Sequence, residues 1–238
     1  ILPGWGLPPK DYEKLAGLLG PDTRTLDSWK VPLTADTDDI RAELGALDSP
    51  KVDLLGHSLG GLAAIEWALR RPDQVRQLVL IDPTAPDEVP SRFHVEGKLR
   101  RGMDKLAGAA VEALWRVGPQ IRRWGIRQTT GSEDALPIDE ARARYGTREN
   151  SRRLAEQLSA SWAHAARVDA LLDAGAARRR SPAPLLLVGA GNGKQRRFLR
   201  SQWDLGRKLH ARTIMLTGQN HVFPLTRPDL VVRHIENL

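Results

Sequence analysis

A single serine between two glycines, in the sequence Gly-His-Ser-Leu-Gly at residues 56–60, constrains the fold of this chain more than any other feature. It directly follows the strand-like run Val-Asp-Leu-Leu at 52–55, and residues 61–69 after it are mostly apolar and helix-forming. A serine on such a sharp strand-to-helix turn has a strained backbone, and flanking glycines let the strand and the helix approach closely. This context favours Ser58 as a nucleophile over a serine in an ordinary turn. Free N–H groups at the helix N-terminus can then hold a developing negative charge.

Short apolar runs separated by helical patterns predict an α/β fold with a mostly parallel sheet flanked by helices. The predicted strands are 52–55, Leu78–Ile81, Leu185–Val188 and Thr213–Leu216, with Thr23–Leu26 as a weaker candidate. The predicted helices between them are Asp11–Leu19, Thr37–Leu47, Leu62–Arg70, Arg196–Leu209 and Asp229–Glu236. A length of 238 residues suits one such core together with a lid.

Residues 91–180 contain no strand-like run and predict an inserted helical lid, which divides the chain into a core of 1–90 and 181–238 and a lid of 91–180. A long helical pattern from Arg148 to Leu172 places apolar residues at three- or four-residue steps along one face. Three tryptophans fall in this segment, at 115, 124 and 162. Packing between lid helices is the favoured role for them, and contact with a substrate is the alternative.

The positive charge of the chain is concentrated in the same segment. Residues 91–180 hold 18 Lys and Arg against 11 Asp and Glu, whereas the rest of the chain holds 18 of each. The favoured interpretation is a solvated helical surface; the alternative is a basic lid that attracts an acidic partner such as an acyl carrier protein. If an acyl carrier protein docks on the lid, reversing the charge of Arg100, Arg101, Arg122 and Arg123 is expected to weaken activity on a carrier-linked substrate and to spare a small ester. Nothing resembles a nucleic-acid recognition element, so nucleic acid is not an expected partner.

A serine hydroxyl is a weak nucleophile and needs a base, which histidine most often supplies. Of the six histidines, His221 alone follows a predicted buried strand, in the loop Thr-Gly-Gln-Asn-His at 217–221. His57 lies inside the serine motif, where its side chain is badly placed to reach back to Ser58. His94 and His164 fall in the lid, and His210 and His234 lie near helix ends. His221 is therefore the predicted base.

These residues together resemble a serine hydrolase of the α/β-hydrolase fold over essentially the full length. The motifs that carry the resemblance are Leu-Pro-Gly-Trp-Gly at 2–6, Gly-His-Ser-Leu-Gly-Gly at 56–61, Leu-Val-Leu-Ile-Asp-Pro at 78–83 and Asn-His-Val-Phe-Pro at 220–224. Within the fold, the Gly-Trp-Gly opening and the lid are similar to the pimeloyl-carrier-protein methyl ester esterases and related small carboxylesterases. The resemblance implies an oxyanion hole formed by the backbone N–H groups of Trp5 and Leu59. Pro3 stands where the family usually has histidine.

The acid of the expected triad departs from the family pattern. The family usually supplies it after the strand that corresponds to Leu185–Val188, where this chain reads Gly-Ala-Gly-Asn-Gly-Lys at 189–194 without a carboxylate. Asn192 stands at the expected position; an asparagine can orient a histidine but does not stabilise its cation. Asp82, at the end of the preceding strand, can reach the same histidine and is the favoured acid. Asn192 as a non-acidic orienter and another carboxylate such as Asp204 are the alternatives.

The resulting function is hydrolysis of a carboxylic ester by Ser58, His221 and Asp82. The alternatives are a thioesterase or acyltransferase acting on a carrier-linked acyl group, and a non-catalytic binding protein on the same fold. No metal is expected, because the histidines are scattered along the chain. No cofactor is expected, because the glycine spacing of a P-loop or of a dinucleotide-binding loop is not present. No apolar run approaches the ~18 residues of a membrane span. A cytoplasmic protein is therefore expected, and the closeness of Trp5 to Ile1 leads us to expect that native upstream residues are missing.

Overall fold

In the part of the chain that the structure describes, four parallel strands form the central sheet, in agreement with the four clear apolar runs. The structure is a computed structural model that describes residues 1–88, 115–179, 182–191 and 195–237. The strands, β1 to β4 in chain order, lie side by side in that same order: Val52–His57, Val75–Ile81, Leu185–Gly191 and Arg212–Thr217. A parallel bridge between Leu2 and Gly56 adds the start of the chain to the free edge of β1.

The apolar runs are unbroken because both faces of the sheet are covered. On β2, Leu78 and Leu80 belong to one hydrophobic core, whereas Val79 and Ile81 belong to the other. The helices around the described sheet, α1 to α9, are Glu13–Leu19, Thr37–Glu43, Leu59–Arg70, Gly118–Thr130, Ile138–Tyr145, Arg148–Asp173, Arg196–Leu209, Phe223–Thr226 and Pro228–Glu236. Leu62 of α3 lies in the first core and Val231 of α9 in the second, so the sheet is a buried middle layer.

One predicted strand is wrong. Residues 23–26 are irregular: Ile1 N donates to the Arg24 carbonyl, Leu26 N donates to the Ile1 carbonyl at 2.9 Å, and Thr23 N donates to the Gly20 carbonyl at 3.1 Å. A strand needs a continuing ladder with a neighbouring strand, and these bonds do not supply it. The one apolar residue of the segment, Leu26, is fully buried in the core.

The part of the predicted lid that the structure describes is helical. Between β2 and β3 the chain forms α4, α5 and α6 and the 3-10 turn Trp115–Val117, and α6 matches the predicted 148–172 pattern within one residue. Trp162 packs against the main core, and Trp124 is 67% exposed, so packing between lid helices is not the role of Trp124. The ends of the predicted lid, near 91 and 180, lie outside the described residues, so its boundaries stay a prediction.

Several described arginines of this segment are paired with acids. Arg122 is buried, with its guanidinium 2.7 Å from Asp11 and 2.8 Å from Asp134, and it accordingly ties α4 to the start of the core. Arg144 pairs with Asp27 at 3.0 Å, and Arg167 pairs with Glu66 at 3.0 Å. The prediction that Arg122 takes part in docking an acidic partner is therefore wrong, because a buried, doubly paired guanidinium is not available to one. Arg100 and Arg101 lie outside the described residues.

Candidate active site

Ser58 occupies the tight turn between β1 and α3. Its backbone has φ 53° and ψ −123°, a region that a residue with a side chain rarely adopts. Three hydrogen bonds hold it there: Ser58 N donates to the Ile81 carbonyl at 3.1 Å, and its own carbonyl accepts from the N–H groups of Gly61 and Thr84 at 2.9 Å. Strain of this kind persists only where the surroundings enforce it, and it is concentrated at functional sites.

The glycines beside Ser58 are needed for close approach. A Cβ on Gly60 would lie 2.2 Å from the Leu2 carbonyl oxygen, and a Cβ on Gly56 would lie 2.7 Å from the Cβ of Ala64. Both distances are far below van der Waals contact. The strand, the helix and the first residues of the chain therefore converge at Ser58 only because these positions lack side chains.

The loop that follows β4 brings His221 to Ser58. The Nε2 atom of His221 is 3.0 Å from the Oγ of Ser58, at hydrogen-bond distance for a proton transfer from the serine. The His221 side chain is 51% exposed, whereas the side chain of Asp82 is fully buried. A neutral Nε2 accepts the serine proton, which leaves Nδ1 to carry the ring's own hydrogen.

Asp82 lies at the carboxyl end of β2, on the far side of the His221 ring from Ser58. Its Oδ2 is 3.4 Å from Nδ1 of His221, and its Oδ1 accepts a 2.7 Å hydrogen bond from Gly189 N. The Oδ2 distance is longer than an ordinary hydrogen bond; such contacts commonly shorten when substrate binds. Burial raises the pKa of Asp82, while His221 and the Gly189 N–H act in the opposite direction.

Asp204, one of the two alternatives to Asp82, does not contact His221 in the described structure. Asp204 lies on α7, half-exposed, and pairs with Arg207 at 2.8 Å. Asn192 lies outside the described residues.

The residues expected to supply the oxyanion donors are close to Ser58 in chain or in space. Leu59 is the first residue of α3, and the first N–H groups of a helix have no acceptor within it. A Cβ on Gly4, the residue before Trp5, would lie 3.3 Å from the Cβ of Ser58, so this loop approaches the serine closely. The Trp5 indole donates to the Leu154 carbonyl at 2.8 Å, which fixes this loop to α6.

Comparison with known proteins places this fold. A model of the alpha/beta hydrolase family matches residues 1–234. The chain belongs to the alpha/beta hydrolase family. Homoserine O-acetyltransferase of Zymomonas mobilis is 26% identical over 144 residues, 56% of this chain and 36% of that protein. The chain spans about a third of the length of the curated relatives it matches, or less.

Solved structures resemble this alpha/beta hydrolase over 99% of its length. A thermophilic esterase from Thermogutta terrifontis has a TM-score of 0.63 at 18% identity, with 86% of that chain covered. A loop variant of the haloalkane dehalogenase DbeA from Bradyrhizobium elkanii has a TM-score of 0.64 at 20% identity, also with 86% covered. These likenesses show the fold and leave the substrate open.

Sequence reasoning missed two residues that adjoin the site of this alpha/beta hydrolase. His57 is fully buried; its Nδ1 is 2.5 Å from the Tyr12 hydroxyl and its Nε2 is 2.9 Å from the His221 carbonyl oxygen. Burial, followed by the neighbouring His221 ring, lowers the pKa of His57 to about 3. Its position on the last residue of a buried strand was the available signal, since a histidine there needs partners for both nitrogens.

The remaining described histidines lie away from Ser58. His164 is buried on α6, 2.7 Å from Glu66 of α3, and His210 ends α7 in a left-handed conformation. His94 lies outside the described residues.

Within 1–88, 115–179, 182–191 and 195–237, no three His, Asp or Glu side chains form a group that could hold a metal ion. Across those same ranges, no helix is both long and apolar enough to cross a membrane.

Proposed function

We propose that this protein is a serine hydrolase that cleaves a carboxylic ester through an acyl-enzyme. The observation that carries the proposal is the line of three groups across the strand ends: Oγ of Ser58, the two ring nitrogens of His221, and the carboxylate of Asp82. The first contact is 3.0 Å and the second is 3.4 Å. A nucleophile, a base and a group that orients the base in this order are the requirements for activating a serine.

The reaction proceeds in two halves. Ser58 Oγ attacks the ester carbonyl while its proton moves to Nε2 of His221, and the N–H groups of Trp5 and Leu59 hydrogen-bond the oxyanion. His221 then returns the proton to the departing alkoxide, which leaves as an alcohol and an acyl-Ser58. Water, deprotonated by His221, attacks the acyl group and releases the carboxylic acid and free Ser58.

Asp82 gives His221 the tautomer that this reaction needs. With Oδ1 held by the Gly189 N–H, Oδ2 faces Nδ1 of His221 and favours the hydrogen on that nitrogen. Nε2 is then free to accept the serine proton. The carboxylate also stabilises the imidazolium that forms during the attack.

Chemistry distinguishes an ester substrate from those of other enzymes on this fold. Displacing a halide from an alkyl halide, or opening an epoxide, with Ser58 would leave an ether, which water does not cleave. A carboxylate nucleophile would instead leave a hydrolysable ester. A serine in the nucleophile position accordingly favours substrates with a carbonyl group, in which a tetrahedral intermediate can collapse.

The finer resemblance to pimeloyl-carrier-protein methyl ester esterases belongs to this proposal and rests on the Gly-Trp-Gly opening and the lid. A thioesterase or an acyltransferase would use the same acyl-enzyme with a different leaving group or acceptor. The buried Arg122 removes one of the four arginines that the carrier-protein alternative relied on. A free small ester is therefore the substrate that we propose.

A substrate panel tests the proposal. We expect the wild-type protein to hydrolyse p-nitrophenyl acetate, butyrate or octanoate, and to release neither bromide from 1-bromobutane nor diol from styrene oxide. The thioester of the preferred acyl group, at equal concentration, is expected to have the lower kcat/KM. Halide or diol release without ester cleavage would contradict a serine-ester mechanism, and the absence of any turnover would favour the non-catalytic alternative.

A further inference from the structure

We propose that His57, supported by Tyr12, is a positioning residue that holds the backbone of the His221 loop and so keeps the base aligned with Ser58. The inference deepens the proposed function and rests on it for the role of His221. His57 precedes the serine in the chain, but its two ring nitrogens contact Tyr12 and the His221 carbonyl and not Ser58.

The direction of each hydrogen bond follows from the donors that are present. Gly4 N–H can only donate, so the Tyr12 hydroxyl accepts from it, at 2.8 Å. The hydroxyl hydrogen of Tyr12 is then available to Nδ1 of His57, at 2.5 Å. Nδ1 is thus an acceptor, the ring hydrogen lies on Nε2, and Nε2 donates to the His221 carbonyl at 2.9 Å. A continuous series of hydrogen bonds therefore runs from the Gly4 amide through Tyr12 and His57 to the carbonyl of His221.

Burial keeps this series of hydrogen bonds in a single protonation state. Tyr12 and His57 are both fully buried. Burial raises the pKa of Tyr12, so the phenol retains the hydrogen it donates. The low pKa of His57, about 3, leaves its ring neutral, so Nδ1 remains an acceptor. A neutral ring also avoids placing a second cation beside His221, whose ring centroid is only 5.0 Å away, when that ring becomes charged during the reaction.

The His221 loop needs such support because it is exposed. Gly218, Asn220 and His221 are all exposed, and the loop lies at the end of a strand at the edge of the described sheet. Besides the contacts of the His221 ring with Ser58 and Asp82, the described loop is held by Asn220 Nδ2, which donates to the Thr129 carbonyl at 2.7 Å, and by two backbone hydrogen bonds of 2.8 Å to Gly191. The bond from His57 acts on the backbone of His221 and comes from a buried strand. The series of hydrogen bonds begins at Gly4, the residue before Trp5, and so links His221 to the loop that carries a proposed oxyanion donor.

Three variants test the positioning role through kinetics. His57→Leu removes the donor to the loop; His57→Gln keeps an amide N–H near the position of Nε2; His164→Leu is the control, since it also removes a buried histidine but lies away from Ser58. Misplacement of a catalytic group by about 1 Å costs roughly 10²-fold. We expect His57→Leu to lower kcat on a p-nitrophenyl ester by roughly 10- to 100-fold with KM within about twofold, and His57→Gln to recover most of it.

Amide hydrogen exchange of residues 217–222 supplies a readout that does not depend on turnover. We expect faster exchange there in His57→Leu, near-wild-type exchange in His57→Gln, and no change in His164→Leu. Tyr12→Phe, which keeps the imidazole and removes only the hydroxyl, should give an intermediate effect on kcat and exchange, and it serves if His57→Leu does not fold.

The outcomes separate the two proposals. Unchanged loop exchange in His57→Leu or Tyr12→Phe, with kcat no lower than in His164→Leu, would overturn the positioning role and leave the hydrolase assignment intact. A wild-type protein that neither turns over esters nor reacts with a fluorophosphonate would overturn the hydrolase assignment. The exchange pattern of the variants would still decide whether His57 holds the loop.

Discussion

Replacing Ser58 with alanine is expected to lower kcat for a p-nitrophenyl ester by about 10⁶-fold, the effect of removing the nucleophile from a serine hydrolase. Without Oγ no acyl-enzyme forms, and His221 has only water to activate. The change removes one oxygen, and the strained φ of 53° is imposed by hydrogen bonds of the backbone, which alanine keeps. The loss should therefore appear in the steady-state rate and not in the thermal melting curve.

Ser161→Ala is the matched control for that experiment. Ser161 is a buried serine, and its hydroxyl donates to the Leu158 carbonyl within α6, away from His221. We expect wild-type turnover from it. If Ser58→Ala retained more than about 1% of the wild-type rate, far above the residual rate of a serine hydrolase without its nucleophile, the serine would not be the nucleophile.

Replacing Asp82 with asparagine should lower turnover by about 10⁴-fold while leaving the protein folded. The amide oxygen can still accept from the Gly189 N–H, so the side chain keeps its position. The amide N–H₂ then faces Nδ1 of His221 and favours the tautomer with the hydrogen on Nε2, which can no longer accept the serine proton. Because burial raises the pKa of Asp82, exchanging the acid for a neutral amide removes an unfavourable buried charge and spares the fold.

The comparison variants for Asp82 are Asn192→Ala and Asp204→Asn. Asp204 pairs with Arg207 on the surface of α7. We expect the turnover of both variants to stay within about threefold of wild type in the same assay at the same pH. Such a change corresponds to less than about 1.4 kcal/mol. The reverse order, with Asn192→Ala more damaging than Asp82→Asn, would transfer the orienting role to the loop after β3.

Features set by local sequence could be predicted. The strands at 78–81 and 185–188 follow from unbroken apolar runs, because a strand buried on both faces needs no polar alternation. The tight turn at Ser58 follows from the flanking glycines, because a Cβ on Gly56 or Gly60 would clash with neighbouring atoms. His221 was found because it follows a strand, and strand ends in an open parallel sheet meet at one edge.

Features set by partners distant in the chain could not be predicted. Arg122 belongs to an arginine-rich segment, and only the fold brings Asp11 and Asp134 to it and buries all three. Residues 23–26 form no strand, because their backbone pairs with Ile1 and Gly20 and not with a neighbouring strand. From the sequence, His57 is only a residue of the serine motif, because Tyr12 and the carbonyl of His221 lie 45 and 164 residues away from it.

The central claim is that Ser58 is an activated nucleophile, and covalent labelling measures this directly. The folded protein is incubated with a fluorophosphonate, digested, and mapped by mass spectrometry. We expect one phosphonyl group per chain, on Ser58, with none in Ser58→Ala or in protein unfolded before labelling. A folded wild-type protein that carries no adduct on Ser58, or carries it on another serine, would contradict it.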